Sequence, residues 1–193
     1  MTTGNQEARR VAVYCGSSVG NDPKFFAEAE ALGKEIARAG LGLVYGGTSI
    51  GLMGAVADAA LAGGAEVIGV LPDFLAEREI AHMGLTRLEV VANLHERKAR
   101  MAELSDAFLA LPGAYGTLDE MIEAVTWAQL RLHSKPCILI NTAGYWDGFT
   151  AFLDSMVASG FLRAENRALL KMAASACDAI GMVVGPTAFS ESG

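Results

Sequence analysis

The stretch at residues 11–18, VAVYCGSS, changes within a few positions from small and β-branched apolar residues to glycine and serine. A short apolar run bounded by turn residues is typical of a buried strand. We therefore predict a strand at 11–15, a glycine turn after it, and a helix that begins at Pro23, because proline is favoured in the first turn of a helix. The apolar residues of that helix recur at helical spacing: Phe26, Ala29, Leu32, Gly33 and Ile36.

The order of strand, turn and helix repeats through the rest of the chain. The apolar patterns predict strands at 41–45, 65–71, 87–91, 107–111 and 137–141, and helices at 50–62, 94–105, 147–158 and from the turn at 112–117 to about 132. Strands that alternate with helices indicate a parallel sheet with crossover helices. The sequence therefore predicts an α/β fold, with one three-layer, Rossmann-like domain over residues 1–193 and a mostly parallel sheet flanked by helices. Residues 1–10 and 186–193 are predicted to be flexible tails, and the part after 158 to be helical.

Length and charge narrow the class of protein. A chain of 193 residues corresponds to one domain at roughly 150 residues per domain. Its 22 acidic and 15 basic residues give a net charge of −7, which argues against nucleic acid or a membrane as the main partner. The apolar share of 52% exceeds the usual ~45–50% and suggests that some apolar surface is hidden in an oligomer interface. Residues 1–10 lack the apolar stretch of a signal peptide, so we expect a soluble, cytoplasmic protein.

The sequence contains no residue pattern typical of a metal site or of a bound cofactor. The cysteines are widely spaced and have apolar neighbours, which predicts buried, reduced thiols rather than disulfides or a zinc site: Cys15, Cys137 and Cys177. The histidines share no ligand or nucleophile motif and are expected to be structural or exposed: His82, His95 and His133. No lysine has a recognisable pyridoxal phosphate context, so a decarboxylase has no support either. We predict no metal site and no cofactor.

Three glycine-containing turns, at 15–20, 46–54 and 112–117, follow predicted strands and precede helices. Ligands of parallel sheets bind at the carboxyl ends of the strands, and the free N–H groups of a helix start favour an anion there. Neither of the latter two turns is a P-loop, and the dinucleotide motif G-x-G-x-x-G is absent. Glycine is common in such turns, but three turns in register favour an anion site.

Arg97 lies on the apolar stripe of the helix at 94–105, together with Leu94, Met101 and Leu104. An inward guanidinium needs an anionic partner, either a carboxylate or a ligand phosphate. A structural ion pair or a side chain that reaches out to water remains the alternative. The other polar residues are compatible with a solvated face, with Glu96 and Arg100 paired at i,i+4: His95, Glu96, Lys98 and Arg100.

Two acidic residues, Asp119 and Glu120, are predicted in the first turn of the helix after 112–117. Acids are common there because they complement the helix dipole. Glu120 nevertheless lies beside the candidate anion loop, where a carboxylate can orient a water or stabilise a developing positive charge. Glu79 is a third carboxylate in a predicted loop, and surface solvation is its default interpretation.

Several segments together resemble the Lonely guy family of phosphoribohydrolases. The similarity covers about residues 11–170, and its most specific combination is an R-K-x-x-M helix followed by a P-G-G-x-G-T-x-x-E element. The matching segments are GG at 46–47, GLMG at 51–54, HERKARM at 95–101, SDAF at 105–108, PGAYGTLDE at 112–120, TWAQ at 126–129 and KP at 135–136.

The resemblance implies hydrolysis of the N-glycosidic bond of cytokinin riboside 5′-monophosphates, and in related members of AMP, to the free base and ribose 5-phosphate. It places the catalytic arginine and glutamate at Arg97 and Glu120, and it implies a homodimer or a larger assembly. The implied substrate contacts are Glu79, Arg97, Lys98, Gly113, Ala114, Tyr115, Gly116, Thr117, Leu118, Asp119 and Thr126. Ser17, Gly47 and Thr48 in the other glycine turns, and Met101 beside Arg97, complete the candidate substrate site.

The residues suit this chemistry. Cleavage of a ribose–base bond develops oxocarbenium character, which requires a carboxylate near C1′ and a water. We expect the helix N-terminus to hold Glu120 ionised, Arg97 to bind phosphate or ribose and to hold Glu120, and the glycine loop to bind the 5′-phosphate. A general purine nucleotide nucleosidase and a non-catalytic AMP-binding module remain alternatives.

One residue departs from the family's pattern, since Ala114 replaces the second glycine of the loop. If the backbone there requires a positive φ, alanine costs roughly 1–2 kcal/mol. At a negative φ the replacement is nearly silent, unless the methyl group reduces the room for a phosphate.

Overall fold

The computed structural model describes residues 9–76 and 81–185. Within these ranges, seven strands form one sheet in which every neighbouring pair is parallel. The strands are β1 (Arg10–Tyr14), β2 (Gly42–Tyr45), β3 (Val67–Pro72), β4 (Arg87–Val91), β5 (Ala107–Ala110), β6 (Cys137–Ile140) and β7 (Leu170–Ala173), in the order β4-β3-β2-β1-β5-β6-β7.

Helices cover both faces of the sheet, as predicted for a three-layer α/β fold. They are α1 (Pro23–Arg38), α2 (Gly51–Ala62), α3 (Asp73–Ala76), α4 (Leu94–Leu104), α5 (Tyr115–Gln129), α6 (Asp147–Ala158), α7 (Ala164–Arg167) and α8 (Ala176–Val184). Side chains of β1 alternate between the layers: Val11 and Val13 pack in the core with α1, α2 and α8, and Tyr14 packs in the core with α4, α5 and α6. The alternation follows from the period of two along a strand.

The strand order reverses at β1, which has β2 on one side and β5 on the other. Such a switch point opens a crevice at the carboxyl ends of the strands. Two backbone hydrogen bonds join the loops there: the N–H of Gly16 donates to the carbonyl of Pro112 at 3.0 Å, and the N–H of Leu52 donates to the carbonyl of Gly16 at 3.1 Å. The three predicted glycine turns therefore do meet at one edge of the sheet.

The end of the chain differs from the prediction. Residues 170–173 form the edge strand β7 rather than part of a helix. The segment is only four residues long, LKMA, and each of its residues is a good helix former, so its pairing with β6 decides its conformation. The tail prediction for residues 1–10 is wrong at Arg10, which begins β1; residues 1–8 and 186–193 lie outside the described ranges.

Two side chains are more exposed than predicted. Phe26 of α1 is exposed, and so is Cys177 of α8, whereas Cys15 and Cys137 are the expected buried thiols. Searched over the described residues, the helices include none with the length and apolar character needed to cross a membrane.

The packing of α1 on α2 generates a stability prediction. A Cβ at Gly33 would lie 2.4 Å from the carbonyl oxygen of Val56 and 2.7 Å from the Cβ of Ala59. Gly33→Ala should therefore lower the free energy of unfolding by about 1–3 kcal/mol through overpacking, measured by urea denaturation. Gly181→Ala in α8 is the matched control, because a Cβ there meets nothing within 4 Å and alanine stabilises a helix by roughly 0.5–1 kcal/mol relative to glycine. Equal stability of both variants and the parent would contradict the close helix contact.

Candidate active site

A cleft of about 600 Å³ opens at the switch point of the sheet. The loops after β1, β2 and β5 supply its walls, and α4 and α5 supply its charged side chains. Of the predicted site residues, those that line the cleft are Ser17, Thr48, Arg97, Lys98, Gly113, Ala114, Gly116, Thr117, Asp119 and Glu120.

Arg97 and Glu120 form an ion pair inside this cleft. An Nη2–H of Arg97 donates to Oε1 of Glu120 at 2.6 Å, and the two side chains are only 14% and 10% exposed. Gly46 makes room for the guanidinium, because a Cβ there would lie 3.0 Å from Nη2. Arg97 is therefore directed inward as predicted, and a carboxylate is its partner. Its Nε is buried without a hydrogen-bond partner among the described residues.

Burial raises the pKa of the Glu120 carboxyl above its ordinary value, and the neighbouring Arg97 opposes that rise. The helix start does not hold Glu120 ionised, contrary to our expectation: α5 begins at Tyr115, so Asp119 and Glu120 lie in its second turn and no acid occupies the first. The dipole effect is confined to the first turn. Arg97 is therefore the group that favours the ionised carboxylate, while the raised pKa makes this carboxylate a better proton acceptor than an exposed one.

Lys98 is buried, although the sequence suggested a solvated position. Its Nζ lies 2.9 Å from Oδ2 of Asp119 and 3.2 Å from Oε2 of Glu123. These carboxylates raise the pKa of the Lys98 ammonium against the effect of burial. Lys98 therefore binds α4 to α5, and its charge is largely offset before any substrate arrives.

The predicted pair between Glu96 and Arg100 is wrong. Glu96 instead takes part in the N-terminal cap of α4: its N–H donates to the side chain of the cap residue Asn93 at 2.9 Å, and its carboxylate accepts from the Asn93 side chain at 3.0 Å and from the N–H of Ala92 at 3.1 Å. Arg100 contacts Glu89 at 2.6 Å and Glu103 at 2.9 Å. Reciprocal capping satisfies backbone groups that an i,i+4 ion pair would leave free.

The glycine loop after β5 accommodates Ala114 without strain, since its φ is −101°. Gly113 is the position that excludes a side chain, because a Cβ would lie 2.1 Å from Oγ1 of Thr117. No side chain caps the start of α5 or of α2, whereas Asp22 caps α1 and Asn93 caps α4. The first N–H groups of α5 are thus available to an anion in the cleft.

The remaining candidate contacts lie elsewhere. Met101 is fully buried in the core, and Leu118 packs against the same core. Gly47 lies behind the cleft, where a Cβ would face Leu71 and Leu88.

Two candidates on α5 face solvent. Tyr115 is 90% exposed, and Thr126 is exposed with its hydroxyl donating to the carbonyl of Ile122 at 2.7 Å. Glu79 lies outside the described residues.

Two aromatic residues of the cleft were missed by the sequence analysis: Phe25 and Tyr145. The Tyr145 hydroxyl donates to the carbonyl of Gly113 at 2.6 Å, and its ring meets that of Phe25 edge-on at 5.7 Å between centroids. Tyr145 follows the carboxyl end of β6, so the rule that selected the other three loops would have found it.

The three histidines are structural or exposed, as predicted. His82 contacts Asp58 at 2.9 Å, the Nε2 of His133 lies 2.9 Å from the carbonyl of Ala124, and His95 is exposed. Over residues 9–76 and 81–185, His, Cys, Asp and Glu form no group of three or more that could hold a metal ion.

Known proteins resemble this chain over most of its length. A family described as "Possible lysine decarboxylase" matches residues 53–183. The chain is 47% identical over 168 residues to the cytokinin riboside 5′-monophosphate phosphoribohydrolase LOG of Oryza sativa subsp. japonica, covering 87% of this chain and 69% of that protein. It is 46% identical over 168 residues to an enzyme of the same name from Arabidopsis thaliana, covering 87% and 79%.

Solved structures share the fold at lower sequence identity. The molybdenum cofactor carrier protein of Chlamydomonas reinhardtii superposes with a TM-score of 0.72 at 24% identity, over 92% of this chain and 96% of that chain. The molybdenum cofactor binding protein of Rippkaea orientalis gives 0.71 at 22% identity, over 93% and 97%. These likenesses show the Rossmann-like fold alone. The chain belongs to the LOG (Lonely guy) family, whose named members are cytokinin riboside 5′-monophosphate phosphoribohydrolases.

Proposed function

We propose that this chain hydrolyses the N-glycosidic bond of N6-modified adenosine 5′-monophosphates, the cytokinin ribotides, and also of AMP. The products are the free base and ribose 5-phosphate. The observation that carries the proposal is the buried Arg97–Glu120 pair, at 2.6 Å, in a cleft that also contains the uncapped start of α5. Relatives at 46–47% identity bear the name of this activity.

Glu120 is the group that meets the reacting carbon. When the bond from C1′ to the base breaks, its electron pair leaves with the base, which takes up a proton, and C1′ gains positive charge. The Glu120 carboxylate stabilises that charge and accepts a proton from the attacking water, whose oxygen then bonds to C1′. The base takes its proton from solvent and Glu120 returns its own to solvent, so one water is consumed and the carboxylate is regenerated. The step consumes water alone, so its electrons balance without an oxidant or a reductant.

Arg97 has two tasks in this proposal. It keeps Glu120 ionised in a site where burial raises the pKa of the carboxyl. Its guanidinium also lines the cleft and can donate there to the ribose or the phosphate of the substrate. A rigid pair of this kind orients the carboxylate before the substrate binds, which lowers the entropic cost of reaching the transition state.

The 5′-phosphate lies away from the bond that is cleaved, and its binding positions the substrate. The N–H groups at the start of α5, around Gly116 and Thr117, supply donors and the positive end of a helix dipole. Binding energy from a group that does not react can be used to position C1′ against Glu120. The net charge of −7 agrees with a small anionic substrate held by local donors, rather than with nucleic acid or a membrane surface. We place this reaction in the cytoplasm.

A substrate series tests the proposal directly. N6-isopentenyl-AMP, AMP, GMP and CMP are incubated with the protein, and free base and ribose 5-phosphate are quantified by chromatography. We expect release from N6-isopentenyl-AMP and AMP and little from CMP. Equal release from AMP and GMP would indicate a general purine nucleotide nucleosidase instead. Tight AMP binding by calorimetry with no base released would indicate a nucleotide-binding module.

Substitutions of Glu120 and Arg97 test two separate roles: proton acceptance by the carboxylate, and the effect of the arginine on the pKa of that carboxylate. Glu120→Gln should lower kcat/KM roughly 10²- to 10⁴-fold, the usual contribution of a general base, while Gln still offers Arg97 an oxygen and the circular dichroism spectrum stays unchanged. In the parent protein, kcat/KM should fall as the pH falls through the raised pKa of Glu120, at a higher pH than for an ordinary glutamate. Arg97→Ala removes the opposing charge and should move that fall to still higher pH.

The control for these variants is Glu103→Gln, the same change at an exposed carboxylate that pairs with Arg100. It should leave kcat/KM and its pH dependence as they are in the parent. Full activity in both Glu120→Gln and Arg97→Ala would overturn the assignment of the catalytic pair.

We also propose that the protein is a homodimer that uses the outer face of α5. Ile122, Leu130 and Leu132 expose apolar side chains on this helix and just after it. Thr126 lies on the same stretch and does not line the cleft of its own chain. In the dimer it would contact substrate bound in the cleft of the second copy. Light scattering should give twice the mass of one chain. The mass of a single chain at micromolar concentration would contradict the dimer.

A further inference from the structure

We infer that Tyr145 is a positioning residue, whose hydroxyl fixes the direction of the peptide between Gly113 and Ala114 in the phosphate-binding loop. The inference rests on the proposed function only in taking this loop as the site of the 5′-phosphate. It assigns no contact with the reacting atoms to Tyr145.

The geometry of Tyr145 is well constrained. Its hydroxyl donates to the Gly113 carbonyl at 2.6 Å, across 32 residues of sequence, and so joins the loop after β6 to the loop after β5. Its ring is held edge-on by Phe25 at 5.7 Å and by Trp146 at 4.9 Å between centroids. Tyr145 is 42% exposed, and these two aromatic contacts and the hydrogen bond orient its hydroxyl toward the Gly113 carbonyl.

Because the peptide is planar and trans, the hydrogen bond to the Gly113 carbonyl also fixes the direction of the next N–H group, that of Ala114. In such a peptide, the C=O of one residue and the N–H of the next point in opposite directions. With the Gly113 carbonyl directed at Tyr145, the N–H of Ala114 points away from Tyr145. Ala114 is the N-cap residue of α5, so its N–H adjoins the free donors of the first turn.

Turning over the peptide between Gly113 and Ala114 rotates ψ of Gly113 and φ of Ala114, and glycine removes the side-chain restraint on the first of these angles. Gly113 has no side chain because a Cβ would collide with Thr117, and glycine lets the backbone rotate into conformations that other residues disfavour. If the peptide turned over, a carbonyl oxygen would replace the N–H and would repel a phosphate rather than bind it. The hydrogen bond from Tyr145 stabilises the orientation that suits an anion.

The test uses Tyr145→Phe, which removes the hydroxyl and keeps the ring. Calorimetry measures binding of ribose 5-phosphate, a non-reacting phosphate ligand, and of adenosine, which lacks the phosphate. We expect Tyr145→Phe to weaken ribose 5-phosphate roughly 3- to 10-fold, the value of one hydrogen bond, and to leave adenosine unchanged. For AMP as substrate, KM should rise by a similar factor while kcat and its pH dependence stay near those of the parent.

Tyr45→Phe is the matched control, because the buried hydroxyl of Tyr45 has no hydrogen-bond partner among the described residues and Tyr45 lies in the core. It should bind both ligands as the parent does. Thermal melts of the two variants show whether either change is merely structural.

The outcomes separate this inference from the proposed function. Equal weakening of ribose 5-phosphate and adenosine, or no weakening of either, would overturn the role of Tyr145. Parent protein that binds ribose 5-phosphate but never releases base from a nucleotide would overturn the proposed hydrolysis, and the Tyr145 result would still stand. A parent that does not bind ribose 5-phosphate would overturn the Tyr145 inference, while base release from the nucleotides would still decide the proposed hydrolysis.

Discussion

The ion pair between Arg97 and Glu120 is the interaction on which the candidate active site depends. A carboxylate as buried as Glu120 is costly unless a cation compensates it, and Arg97 comes from a different helix to do so at 2.6 Å. The pair requires α4 and α5 to meet at the switch point of the sheet, and Gly46 leaves room beside its guanidinium. One ion pair thus links the strand order, the helix positions and a glycine turn.

The two basic side chains that line this cleft are both paired with carboxylates. Lys98 is paired with Asp119 and Glu123, and Arg97 with Glu120. Neither cation is a free charge for an incoming anion, although both were expected to attract one. In the proposed reaction, the backbone N–H groups at the uncapped start of α5 therefore bind the anion. This arrangement suits an acidic protein, because neutral dipoles attract a phosphate without a cluster of unpaired lysines.

The sequence predicts those features that follow from local patterns. Six of the strands and the inward direction of Arg97 could be predicted because apolar periodicity reports which face of an element is buried. The edge strand β7 escaped prediction because residues 170–173 have helical propensity and only the neighbouring β6 makes them a strand. Burial of Lys98 and the bond from Tyr145 to Gly113 escaped it for a similar reason, since both join segments distant in sequence.

In the loop at 112–117, the motif glycine that this chain lacks is not at the position where the structure excludes a side chain. The second glycine of the motif is replaced by Ala114, yet a φ of −101° is accessible to any residue, so the backbone does not require glycine there. The steric requirement lies one position earlier, where Thr117 and the loop of Gly16 leave no room for a Cβ at Gly113. Glycine at 113 allows the close approach but leaves its own ψ unrestrained by a side chain, and we infer that the hydrogen bond from Tyr145 adds a restraint to that of Ala114. A loop of this kind tolerates alanine at 114 because its conformation is determined by contacts from neighbouring strand ends, not by the glycine that is missing.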